Sequence, residues 1–104
     1  MDTKIDAGRD SNIGSRLFCL GQVVTTPGAM DALQESQQPP SIFLLRHLMG
    51  DWGELCEEDK QANEDALKEG LRILSSYRTN LGVKIWVITE ADRSSSCILL
   101  PSEY

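Results

Sequence analysis

The sequence contains a single histidine, His47, and only three cysteines among its 104 residues. The cysteines Cys19, Cys56 and Cys97 are odd in number and far apart, and none belongs to a C-x-x-C pair or a Cys/His ligand spacing. This pattern argues against a disulfide framework and against a structural zinc site. The eight glycines also match neither of the common phosphate-binding patterns, G-x-G-x-x-G and G-x-x-x-x-G-K. We therefore expect no metal, nucleotide or other cofactor.

Long hydrophobic runs are absent as well. No stretch approaches the roughly 18 apolar residues of a membrane-spanning helix, and residues 1–15 lack the apolar centre of a secretion signal. We expect a cytoplasmic protein that does not interact with membranes. Because residues 1–15 are polar and have little to bury, they are predicted to form a flexible tail. The remaining residues, 16–104, fit one domain of ordinary size.

Acidic residues are concentrated in one part of the chain. Residues 51–69, the acidic segment, contain eight acidic and two basic residues, a net charge of −6, whereas the rest of the chain contains eight of each. Direct binding to nucleic acid is disfavoured, because proteins that bind it need a basic face to displace counterions from the phosphates. The acidic segment has two interpretations: a helix face in water, or an interface for a basic, nucleic-acid-binding protein.

The first part of the domain is predicted to form one strand and three helices. β-favouring and apolar residues predict the strand, and Thr26 followed by Pro27 is typical of a helix start. Ser41 is expected to cap the second helix, and Gly70 to end the third. These elements are a strand over residues 16–25 and helices over residues 27–36, 41–49 and 57–69.

After Gly70 the hydrophobic pattern changes from the helical period to alternation. Turn-forming residues at 79–82 and 91–94 divide this part into three strands, and Pro101 ends the last because it has no N–H to donate. The predicted strands cover residues 71–78, 83–89 and 96–100. The fold class is therefore α+β. We expect an antiparallel sheet, made of the N-terminal strand and this three-stranded meander, packed with about three helices in the order β-α-α-α-β-β-β.

The predicted partner-binding surface consists of acidic residues and one tryptophan. Trp52 lies in a polar connector between Gly50 and Gly53. An exposed tryptophan there can anchor an interface, although a tryptophan in a loop also commonly covers one end of a core. The residues assigned to the surface are Asp51, Trp52, Glu54, Glu57, Glu58, Asp59, Glu64 and Asp65.

His47 offers an alternative site together with Asp51 and Glu54, with Asp92 and Arg93 as further members. This alternative describes a small enzyme or ligand-binding domain, and it requires that these side chains converge on a pocket. The spacing matches no known metal signature. A lone histidine near the end of a helix is more often a favourable charge on the helix dipole or a packing residue.

Three stretches of the chain resemble a family of small proteins encoded on bacterial plasmids, phages and integrated elements. The stretches are LGQVVTTPGAMDAL, RHLMGDWGELCEEDKQANEDALKEG and IWVITEADRSSSCILLPSEY. Members are sometimes labelled restriction-system subunits, but this chain has none of the methyltransferase or nuclease motifs that such a label needs. The resemblance implies a cargo protein of a mobile element, and such cargo often includes small inhibitors of restriction or CRISPR machinery. It implies no role for any single residue.

The leading hypothesis is a non-enzymatic interaction protein of a mobile genetic element. Its partner would be a nucleic-acid-binding host protein, such as a CRISPR or restriction complex, to which the carboxylates present charge in the manner of DNA. The small enzyme or ligand-binding domain is the alternative. A third hypothesis is a homodimer formed through the exposed edge of the C-terminal meander.

Overall fold

The computed structural model describes residues 16–104, which form three α-helices and a four-stranded sheet. The predicted order of elements and the α+β class are confirmed. The predicted flexible tail, residues 1–15, lies outside the described residues. The elements are β1 (Gln22–Thr25), α1 (Pro27–Ser36), α2 (Pro40–Leu48), α3 (Glu57–Glu69), β2 (Ile73–Arg78), β3 (Lys84–Thr89), β4 (Ser95–Leu99) and a terminal 3₁₀ helix (Pro101–Glu103). No helix in this part of the chain is long and apolar enough to cross a membrane.

The sheet is mixed. Its strands lie in the order β1-β4-β3-β2, and the antiparallel pairs β2/β3 and β3/β4 confirm the C-terminal meander. The prediction of a wholly antiparallel sheet is wrong, because β1 pairs in parallel with β4, from Gln22 opposite Ser95 to Thr25 opposite Ile98. The three helices lie between these two strands in sequence, so no tight turn forces the strands to run in opposite directions.

β1 is shorter than predicted. The sequence pattern predicts a strand from Arg16, but the strand begins at Gln22. Gly21 has a φ of +66°, and a Cβ at this position would lie 2.3 Å from the carbonyl O of Ser94. The chain therefore bends at Gly21 before it enters the sheet. Upstream of the bend, Leu17 N donates a hydrogen bond to Leu48 O at the C-terminal end of α2.

α1 and α2 cover one face of the sheet. Their inward side chains pack against the apolar side chains that β2, β3 and β4 present to that face. The almost fully buried residues of this core are Ala29, Leu33, Phe43, Tyr77, Ile85, Val87 and Ile98. Burial of each larger side chain contributes about 1.5–3 kcal/mol. A second, smaller cluster joins Trp52, Ala66 and Ile73, and it connects α3 to the sheet.

Two helix ends follow from the capping residues that the sequence predicts, and the start of α2 does not. The Thr26 side chain accepts a hydrogen bond from Ala29 N at the start of α1, and Gly70 ends α3 with a φ of +71°. α2 begins one residue earlier than predicted, at Pro40, so Ser41 lies inside the helix and is not its N-cap. Proline is well tolerated there, because the first N–H groups of a helix have no intrahelical acceptor.

Candidate functional site

α3 presents most of the acidic segment to the outside. Its first turn contains three carboxylates, which interact favourably with the positive end of the helix dipole. The helix contains six acidic residues against two lysines, a net charge of −4. All six acidic side chains are exposed: Glu57, Glu58, Asp59, Glu64, Asp65 and Glu69. The predicted third helix is therefore confirmed, with its carboxylates in water.

Three of these carboxylates form a stripe along the helix. Asn63 and Ala66 are the buried residues of α3 and define its inner side. Glu58, Asp65 and Glu69 are related by seven and four residues, so the helical period aligns all three along one exposed side of the helix. Within residues 16–104 no lysine or arginine forms an ion pair with any of the three. We call these three residues the acidic stripe.

Two carboxylates of α3 outside the stripe have partners within the described chain. The closest contact is between Trp52 Nε1 and Glu64, at 3.0 Å. Glu57 lies 3.7 Å from Lys60, at a spacing of three residues. Ion pairs at such exposed positions contribute only about 0.2–1 kcal/mol, so the pair with Lys60 adds little to the stability of the helix.

The two acidic residues before α3 are paired with arginines of the same fold. Asp51 Oδ2 accepts a hydrogen bond from Arg46 Nε at 2.7 Å, and this bond holds the pKa of the Asp51 carboxyl below its ordinary value. Glu54 Oε1 accepts one from Arg78 Nε at 2.9 Å. Their charges are therefore compensated locally, unlike those of the acidic stripe. Within the predicted surface, the uncompensated charge is that of α3.

Hydrogen bonds between side chains and backbone groups hold α3 beside β2. The Asn63 amide donates to Leu74 O at 2.7 Å and accepts from Leu74 N at 3.1 Å, as a neighbouring strand would. Arg93 donates to Ala66 O near the end of the helix, and to Leu71 O just after it. The bonds to Leu74 and Leu71 satisfy backbone groups that would otherwise be left without partners, whereas Ala66 O also accepts from Gly70 N and Leu71 N. They fix the direction in which the acidic stripe points.

Trp52 is buried and does not form an exposed anchor. Only 4% of its surface is accessible, and its ring lies among Phe18, His47 and the side of α3. The expectation of an exposed Trp52 is wrong, because its apolar ring completes the smaller core cluster. Its bond to Glu64 makes it a support for the acidic segment instead.

His47 is fully buried at the centre of a chain of polar side chains. Its Nδ1 lies 2.5 Å from Ser75 Oγ, and its Nε2 lies 2.9 Å from Thr89 Oγ1. Thr89 Oγ1 lies 2.6 Å from Ser96 Oγ, and the Ser96 hydroxyl donates to Leu20 O at 2.8 Å. We call Ser75, His47, Thr89 and Ser96 the polar chain.

Counting protons fixes the direction of every bond in the polar chain. A hydroxyl has one hydrogen. Since Ser96 gives its hydrogen to Leu20 O, it accepts from Thr89, and Thr89 in turn accepts from His47 Nε2–H. The neutral imidazole then has its lone pair on Nδ1, which accepts from Ser75. Burial, assisted by the positive charge of Arg93, lowers the pKa of His47 to about 4, so the neutral form is the stable one at pH 7.

The alternative site around His47 is not assembled. Each of its proposed members is engaged elsewhere: His47 with Ser75 and Thr89, Asp51 with Arg46, and Glu54 with Arg78. Asp92 accepts from Ser94 N within a turn, and Arg93 donates to four backbone carbonyls. The side chains therefore do not converge on one pocket. Among residues 16–104 no group of three or more His, Cys, Asp or Glu side chains could hold a metal ion.

Sequence reasoning missed the residues that position the acidic segment. Asn63 lies in a helix with few apolar residues, and nothing in the sequence around it indicates that its amide pairs with a strand. Gly53 has a φ of +77°, and a Cβ there would lie 1.9 Å from Ser76 O, so the connector can dock on β2 only with glycine. The glycines near Trp52, Gly50 and Gly53, are the sequence feature that indicates this close approach.

Comparison of the chain with family models, with curated proteins and with solved structures finds no match.

Proposed function

We propose that this protein is a non-enzymatic interaction protein that binds a basic, nucleic-acid-handling partner through the acidic stripe of α3. The observation that carries the proposal is the separation of charge on the surface. Asp51 and Glu54 are neutralised by arginines of the same fold, whereas Glu58, Asp65 and Glu69 have no cationic partner within residues 16–104. Such a surface attracts a positively charged groove over a distance set by the ionic strength.

The dimensions of the stripe suit a groove that normally holds a nucleic-acid strand. Glu58 and Glu69 are eleven residues apart, which corresponds to about 16 Å along a helix. One strand of duplex DNA carries a phosphate for about every 3.4 Å of its axis, so the stripe covers roughly five phosphate steps. It has fewer charges than DNA over that length. It therefore imitates part of a strand, and the exposed carboxylates at Glu57 and Asp59 extend its N-terminal end.

The fixed attachment of α3 supports the same proposal. Asn63, Arg93 and Gly53 hold the helix and its connector to the sheet by backbone contacts. A helix whose backbone is already fixed loses little backbone entropy on binding, which favours specific association over loose attraction. The resemblance to cargo proteins of mobile elements indicates which class of partner to expect. We therefore include in the proposal that the target is a cytoplasmic host defence complex, of the restriction or CRISPR type, and that binding inhibits it.

The test is a pull-down from bacterial lysate that has been treated with nuclease, using two variants of equal charge. Glu58→Lys with Asp65→Lys reverses the stripe. Asp31→Lys with Glu35→Lys changes two exposed carboxylates on α1 instead, and both variants have a net charge of −2 in place of −6, since each substitution adds two charges. Retained proteins are identified by mass spectrometry.

We expect a nucleic-acid-binding complex to be retained by the wild type and by the α1 variant and lost with the stripe variant. A tenfold loss of affinity, about 1.4 kcal/mol, is the minimum effect expected for reversing two charges in an interface of this kind. Equal retention by both variants would show that only total charge matters. Retention of no such complex by the wild type would remove the proposal.

A further inference from the structure

The sheet has two edges, and residues 16–104 cover only one of them. At the β2 edge, Ser76 N donates to Trp52 O and Ser76 O accepts from Glu54 N, so the connector pairs with the strand. Asn63 bonds both backbone groups of Leu74 on the same edge. The hypothesis of a dimer through this edge of the meander is therefore disfavoured, because its backbone groups are already used.

The other edge is β1, and its outer backbone groups have no partner in the described chain. Gln22 N donates to Ser94 O and Thr26 N donates to Ile98 O, so alternate residues of this strand face β4. The N–H and C=O groups of Val23 and Thr25 consequently face outward. No backbone hydrogen bond within residues 16–104 involves these outward groups.

β1 is short, at four residues, but it has no charged side chain that would protect its edge. Proteins protect such edges with short strands, charged side chains, proline or a covering loop. Residues 17–30 contain no charged residue, in a chain of which a quarter is charged. Val23 and Val24 point to opposite faces of the sheet, and their accessible fractions are 40% and 45%. An uncharged strand with open backbone groups is a template for another strand.

We propose that β1 pairs with β1 of a second copy of this chain, antiparallel and around a twofold axis at Val24. In this register Val23 of one copy lies opposite Thr25 of the other, and each such pair exchanges two N–H···O bonds. The two pairs give four bonds and join the sheets into one of eight strands. Val24 faces its own counterpart on the axis, as a pair without backbone hydrogen bonds, where side chains approach most closely.

The distribution of charge favours a second copy over a basic partner at this edge. The acidic segment lies beside β2, at the opposite edge of the sheet, so pairing through β1 keeps the two acidic helices far apart. An uncharged strand offers a basic protein no electrostatic attraction. Leu20, two residues before β1 in the sequence, lines an apolar groove of about 430 Å³ together with Ile42 and Leu45, all without charge. This interface does not depend on the acidic stripe, which remains accessible in the dimer.

Sedimentation equilibrium over a range of protein concentrations tests the proposal. We expect a mass twice the 11.5 kDa of one chain, and little effect of salt, because the interface contains no charge. Val24→Lys places two like charges opposite each other and should weaken the dimer at least about tenfold. The matched control is Leu81→Lys, which changes the net charge equally at a position that is 63% exposed in a hairpin turn. A monomeric wild type, or equal weakening by both variants, would overturn the proposal.

Hydrogen exchange provides a second readout that needs no variant. In the monomer the amides of Val23 and Thr25 have no acceptor within residues 16–104 and should exchange fast, whereas in the dimer both are bonded across the interface. We expect their exchange to slow as the protein concentration rises, while the amides of the hairpin turn stay unchanged. Fast exchange of Val23 and Thr25 in a preparation whose mass is that of a dimer would place the interface elsewhere and overturn the pairing.

Discussion

The buried polar chain makes stability depend on pH through His47 alone. His47 is the only histidine in the sequence, and histidine is the only residue type whose unperturbed side-chain pKa lies between 5 and 8. In the folded protein its pKa falls from 6.5 to about 4, first because of burial and second because of Arg93. In the unfolded chain it titrates normally. The unfolded state therefore binds more protons between pH 6.5 and pH 4.

The sign and size of the effect follow from this difference. Because the folded pKa is lowered, the stabilisation by neutral His47 is fully present above pH 6.5 and is lost as pH falls toward about 4. Lowering the pH from 7 to 5 should reduce the free energy of unfolding by about 2 kcal/mol through this residue. The loss is a substantial share of the roughly 5–15 kcal/mol that is typical of a domain.

Urea unfolding, followed by tryptophan fluorescence at both pH values, measures the change. His47→Gln provides the control, because it removes the titrating group and leaves every carboxylate in place. We expect the wild type to lose about 2 kcal/mol more than the variant between pH 7 and pH 5. Equal losses would refute the assignment of a buried, neutral imidazole.

A direct spectroscopic test does not require the variant to fold. Nitrogen-15 chemical shifts of the wild-type imidazole at pH 7 should show the hydrogen on Nε2 and a lone pair on Nδ1, as the bonds to Thr89 and Ser75 require. The shifts should stay constant down to about pH 5, since the pKa is about 4. An imidazole that titrates near 6.5, or that has its hydrogen on Nδ1, would contradict the proton count.

Two further substitutions test how the acidic segment is attached. Gly53→Ala should lower the free energy of unfolding by more than about 2 kcal/mol, because it adds a clash with Ser76 O to the roughly 1–2 kcal/mol of left-handed strain. Gly82→Ala should lower it only by the strain, since a Cβ at that position meets nothing within 4 Å. Thermal unfolding of the two variants side by side measures the difference, and equal costs would contradict the close approach. Asn63→Ala should cost about 1–3 kcal/mol by leaving strand groups unbonded, against a few tenths for exposed Gln61→Ala, and should speed amide exchange at the β2 edge.

The parts of the fold that local patterns determine could be predicted from the sequence. α3 ends where Gly70 allows a left-handed residue, and α1 begins at the pair formed by Thr26 and Pro27. The alternation after Gly70 gave the meander because its strands are joined by short turns. The direction of β1 could not be predicted in this way. It depends on a pairing with β4 that is separated by three helices, and no local signal encodes the direction of such a pair.

The candidate site, like the fold, could be predicted from the sequence only where local patterns determine it. The exposure of the carboxylates on α3 followed from their concentration on a helix with few apolar residues. The pairing of Asp51 with Arg46 and of Glu54 with Arg78 depends on tertiary contacts, and so does the burial of Trp52. The sequence predicts a packing role for His47 as one interpretation, but its partners Ser75 and Thr89 come from separate strands. Spacing in the sequence cannot bring those three together.

The central claim is that the acidic stripe occupies a surface that otherwise binds nucleic acid. The most direct test is competition for the complex recovered in the pull-down, measured by fluorescence anisotropy of a labelled DNA duplex bound to it. We predict that the wild type and the Asp31→Lys, Glu35→Lys variant displace the duplex and that the Glu58→Lys, Asp65→Lys variant does not. If the complex binds the duplex and this protein at the same time, or if the stripe variant displaces the duplex as well as the wild type does, the claim is wrong.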